Sequence, residues 1–157
     1  MTPFLIDPEL PARIHPPVPP ALFGLPVRTL DIASHWHSPA TGALLAAEIG
    51  RTPRNLHTHM QRVALWASLD QPLEVACAVV DLWIVLGPCG RDLRARLLAR
   101  HRDALDEHRV ADHLAEHLEQ GIDSHAPCLA LPGTVLAQPV EGHRSFVRAA
   151  RSWESAS

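Results

Sequence analysis

The sequence predicts an all-α protein: a single compact helical domain of five or six helices with a proline-rich N-terminal arm. Three observations carry this. From residue 41 onward, apolar residues recur three and four positions apart, the period of a helix with one buried face. Gly and Pro interrupt that pattern at short intervals, at 50–53, 70–72 and 87–90, which suits short turns between neighbouring helices. Nine of the 15 prolines fall within residues 1–40. Proline lacks a backbone N–H and holds the residue before it extended, so that stretch is not helical. The expected division is therefore an arm over 1–40 that packs on a helical domain over 41–157.

The elements follow in order. The arm carries apolar side chains such as Phe4, Ile14, Leu22, Phe23 and Trp36 among its prolines, so it is expected to pack rather than to trail in solvent. Gly42 to Ile49 reads as a short helix ended by Gly50. Thr52 then suits an N-cap with Pro53 at the first helical position. Leu56, Met60, Val63, Ala64 and Ala67 form an apolar stripe predicted to face inward. Residues 72–86 are apolar nearly all round, as a central buried helix is, although their β-branched cluster leaves a strand as the second reading. Asp81 sits within that run. A buried carboxylate needs a partner, and an Arg is the natural one. Residues 91–105 read as an Arg-rich amphipathic helix, 107–119 as another, 121–142 as irregular with a short hairpin near Pro132, and His143 to Trp153 as a last helix.

Composition removes several chemistries. The 157 residues include 14 basic and 17 acidic side chains, a formal charge of −3, which argues against a general polyanion binder. All the basic residues are Arg; without Lys there is no Schiff-base chemistry and no lysine-bearing phosphate loop. Three Cys without a C-x-x-C pattern suit a reducing compartment, and the N-terminus lacks the basic and apolar regions of a secretory signal. A soluble, cytoplasmic protein is expected. No anchored nucleophile is present.

Three patterns remain. His113-Leu-Ala-Glu116-His117 matches H-x-x-E-H, in which two His one turn apart share a helix face. Adding His125 and Cys128 gives H-x3-H-x7-H-x2-C, and Glu119, Asp123, Glu141 and Glu154 are further acids downstream. The plainer reading is a solvated face rich in His and Glu, so no metal, cofactor or catalytic role is assigned. Second, residues 45–62 resemble the helix-turn-helix of AraC-type regulators through Ala46 or Ala47, Gly50, Pro53, Arg54 and Leu56. Residues 49–69 hold three Arg and no acid. The resemblance implies a recognition helix exposing Arg54, Asn55, His57, Thr58, Gln61 and Arg62 toward phosphates and base edges. An ordinary helical hairpin is the plainer reading. Third, the Arg-rich stretch 91–109 reads as a solvated, ion-paired face.

Taken over most of its length, the chain resembles the K component of the type III secretion sorting platform, the SctK-type accessory proteins. The residues concerned are Ile14-His15-Pro16, Trp36, the run Ala43 to Glu48, Leu65, Leu69 and Leu73-Glu74, and Pro139, Arg144 and Trp153. The resemblance implies a cytoplasmic, helical, non-enzymatic adaptor whose partners are other proteins, namely secretion-apparatus components. Within that reading Ile14, His15, Trp36 and Trp153 are the partner-contact candidates, while Trp66 and Trp83 are expected in the core. A small DNA-binding regulator using 45–62 is the alternative.

Overall fold

A computed structural model describes residues 30–138. Among these residues there are six α-helices and no strand: α1 Pro39–Arg51, α2 Leu56–Ser68, α3 Pro72–Leu86, α4 Arg91–Arg100, α5 Arg102–Glu107 and α6 Ala111–Glu116. The all-α expectation therefore holds for 30–138. The arm before residue 30 and the helix expected over 143–153 lie outside the described residues. No described helix is long and apolar enough to cross a membrane.

α1 is longer than expected at both ends. Ser38 caps it, its hydroxyl accepting from the Thr41 amide at 3.3 Å, and Pro39 occupies the first turn. Gly50 lies inside the helix and does not end it. Gly42 is required by contact: a Cβ there would sit 2.1 Å from the Trp66 ring. Thr52 does not open α2 but closes α1, its hydroxyl donating to the Glu48 carbonyl at 3.0 Å and to the Glu48 carboxylate at 2.8 Å. α2 starts only at Leu56.

α3 is the centre, and its span matches expectation. Val75 through Trp83 are all buried, including Asp81. It packs on α2 and on α5, and α1 flanks α2. The main core joins α3 to Val63 and Trp66 of α2, Leu97 of α4, Leu105 of α5, and Val110, Ala111 and Leu114 around α6. A smaller cluster gathers Ile32, Leu45 and Leu65.

The Arg-rich stretch does not run as one helix. It breaks at His101 into α4 and α5. The next helix is also short, and turns follow it. α2 and α5 end alike. The Gln71 and Asp70 amides bond to the Trp66 and Ala67 carbonyls, and the Val110 and Arg109 amides to the Leu105 and Asp106 carbonyls. In each motif a non-glycine residue takes the left-handed position, Asp70 at φ 51° and Arg109 at φ 59°. Residues 121–138 are irregular as expected, but the hairpin near Pro132 is a turn without strands.

Candidate functional site

The inward face of α2 is only partly the one expected: Val63 is buried and Met60 packs on the core, as anticipated. Thr58 (5% exposed), Gln61 (4%) and Arg62 (2%) point inward with His59, Leu65 and Trp66, whereas Ala64 and Ala67 are exposed and Leu56 is 40% exposed. The physical reason is size and charge. Ala64 and Ala67 have little surface to bury; Leu65 and Trp66 have far more, and Arg62 must face α3 to meet Asp81. This corrects two expectations. The apolar stripe is split, with Val63 buried and Met60 packed on the core while Leu56, Ala64 and Ala67 look outward, and half of the anticipated DNA-contact face is interior. Arg54 and Asn55 remain exposed and His57 half-exposed.

Arg62 and Asp81 form the buried pair that the sequence required of Asp81 without naming its partner. Arg62 Nη1 donates to Asp81 Oδ2 at 2.6 Å, and Nη2 donates to the Gly133 carbonyl at 2.7 Å. Asp81 also accepts from the Val135 amide at 2.9 Å and the Leu136 amide at 2.9 Å. Its lone pairs are thus engaged, and it ties the 133–136 segment to α2 and α3. Nearby, burial pushes the Cys77 thiol up to about 11, despite a contact with the Gly133 backbone, which leaves it a core residue and not a nucleophile. His59 is fully buried, with Nε2–H donating to the Pro53 carbonyl at 2.8 Å; desolvation holds its pKa below the ordinary 6.5.

Arg94 was not singled out from the sequence. It too is fully buried. Nη1 donates to the Gly87 carbonyl, and Nη2 to the carbonyls of Leu118 at 2.7 Å and Glu119 at 3.2 Å. Its guanidinium lies 5.6 Å from the Trp83 ring centre. Only the carbonyl-rich ends after α3 and α6 could have hinted at it.

The histidine cluster is partly assembled. His113, Glu116 and His117 place one candidate ligand atom each within 4.8 Å of one another. His125 and Cys128 do not join them: His125 Nδ1 contacts the Gln138 carbonyl at 2.9 Å, and Cys128 is exposed. In the Arg-rich stretch the expected surface pairing is seen. Arg91 bonds Glu119, while Arg102 reaches Asp106 at 3.0 Å and Asp112 at 3.1 Å.

Of the partner-contact candidates, Trp36 is described. It sits half-buried in a short 3-10 turn, Ser34–Trp36, packed on the small cluster around Ile32. Ile14, His15 and Trp153 lie outside the described residues. Trp66 and Trp83 are core residues, as expected. Beside Ile32 a cleft of about 530 Å³ opens between the entering segment, α2 and the α4–α5 junction. Its walls include Ile32, Met60, Ala64, Ala67, Leu97 and His101. The exposed Ala64 and Ala67 of α2 form part of its wall. Compared with family models, curated proteins and solved structures, the chain matches none.

Proposed function

We propose that this chain is a non-catalytic helical adaptor that binds another protein along the outward face of α2 and the cleft beside it. One observation carries the reading: Leu56, Ala64 and Ala67 are exposed on α2, and Ala64 and Ala67 line the cleft together with the half-buried Met60. Small side chains on such a face let a partner helix approach closely, and Leu56 and Met60 offer apolar area to it. The resemblance to sorting-platform accessory proteins suggests the setting, the cytoplasmic side of a type III secretion machine. The helix-turn-helix alternative is the weaker proposal, because with Thr58, Gln61 and Arg62 inward a groove would meet chiefly Arg54, Asn55 and His57.

The test is affinity capture by the full chain, with nuclease added to half of each sample, alongside Ala64→Arg. Ala64 is exposed, so that variant should keep its melting temperature. The adaptor reading expects secretion-machine proteins to be captured with and without nuclease and lost with Ala64→Arg. Recovery of DNA that Arg54→Ala abolishes would replace it with the regulator reading.

A further inference from the structure

We propose that His113, Glu116 and His117 form a three-ligand site for a zinc-type divalent cation, with solvent completing the coordination. One ring nitrogen from each histidine and a Glu116 carboxylate oxygen already lie within 4.8 Å of one another. Ligands about 2.0–2.2 Å from a shared tetrahedral ion stand roughly 3.3–3.5 Å apart, so small side-chain adjustments close the site. Two imidazoles and a carboxylate are a donor set that zinc accepts.

Three features of the surroundings favour a ligand role over a merely solvated face. The His117 Nδ1–H donates to the His113 carbonyl at 2.8 Å. That bond fixes the tautomer and leaves the His117 Nε2 lone pair available, the outer-shell arrangement usual for metal-binding histidines. The two rings lie 4.3 Å apart, close enough for both to reach one ion. His113 Nε2 is buried without a hydrogen-bond partner among the described residues. Glu116 adds a carboxylate oxygen to the two imidazoles. The spacing has a simple origin: residues 113, 116 and 117 lie on one face across a single helical turn that ends at His117.

The test uses the full chain, stripped with chelator and titrated with Zn2+ by calorimetry and with Co2+ by visible absorption. The expected result is one tight equivalent per chain, with the intense Co2+ bands of a four-coordinate site. His117→Ala should abolish that equivalent, and Glu116→Gln, which replaces a charged ligand by a neutral one, should weaken it at least about tenfold. Neither side chain belongs to the core, so circular dichroism should be unchanged in both variants. Zn2+ binding that survives His117→Ala at full affinity overturns the site, as does a wild-type chain that binds neither ion at micromolar concentration.

Discussion

Arg62 and Arg94 are both buried, yet their charges are answered in different ways. Arg62 meets a carboxylate, Asp81, and spends its second nitrogen on the distant Gly133 carbonyl. Arg94 makes no ion pair among the described residues. It is surrounded by carbonyl oxygens after α3 and α6 and covered by the Trp83 ring. Helix C-termini carry partial negative charge, so several carbonyls together can replace one carboxylate. The lesson is one of coupling. The first arrangement has a partner whose removal leaves a lone buried charge. The second is spread over backbone that no substitution can delete, and only distortion of that backbone can disturb it.

The largest effect is expected at Asp81. Asp81→Ala strands the Arg62 guanidinium and two amides, at a cost of about 3–5 kcal/mol in urea denaturation. The matched apolar pair Arg62→Met with Asp81→Leu should recover part of this, because it removes both charges together but leaves the Val135 and Leu136 amides unpaired. A cost below about 1 kcal/mol for Asp81→Ala would end the comparison.

Gly121→Ala comes next and addresses the second region. Gly121 sits at φ +82°, and a Cβ there would lie 2.2 Å from the Gly87 carbonyl oxygen that accepts from Arg94. A loss of about 3 kcal/mol is expected, read as a lowered urea midpoint. Arg94→Met should cost about 2–3 kcal/mol, and Arg94→Lys should not restore it, since one ammonium cannot span carbonyls on two sides of the site. Full rescue by Lys would show that charge alone matters there.

The smallest effect is a pH dependence near the first arginine. His59 is desolvated, and within the fold Asp81 raises its pKa slightly while Arg62 lowers it. Its folded value is below 6.5, so the unfolded chain takes up a proton first as the pH falls. Stability is therefore full above about pH 6.5 and declines below it until the folded value is reached. His101 and His113 act in the same direction. His59→Gln should reduce, without abolishing, the fall in urea midpoint between pH 7 and pH 5; an unchanged fall would remove His59 from this account.

These contrasts also show what the sequence makes legible. α3 could be placed because its burial is all-round, so no facing had to be chosen. Asp81 could be assigned an arginine partner because the cost of a lone buried carboxylate is general. Which arginine it was depended on the rotation of α2, and periodicity misjudged that. It set Ala64 and Ala67 in the buried stripe beside Val63, though they bury much less area than Leu65 and Trp66. The break at His101 left no Gly or Pro in the sequence to mark it. Arg94 stayed hidden because its acceptors are backbone atoms, which every residue has. The histidine cluster was visible as a spacing, but the short fold of α6 and the loop beyond decide which members meet.

The Asp81 carboxylate has one more consequence, for a stretch of chain with no regular structure. Val135 and Leu136 belong to an irregular segment, where amide protons usually exchange with solvent within seconds to minutes. Theirs are held by a fully buried acceptor 54 and 55 residues away in the sequence. Their hydrogen exchange should follow the opening of the α2–α3 core, so these two amides ought to be among the slowest in the protein despite lying in a loop.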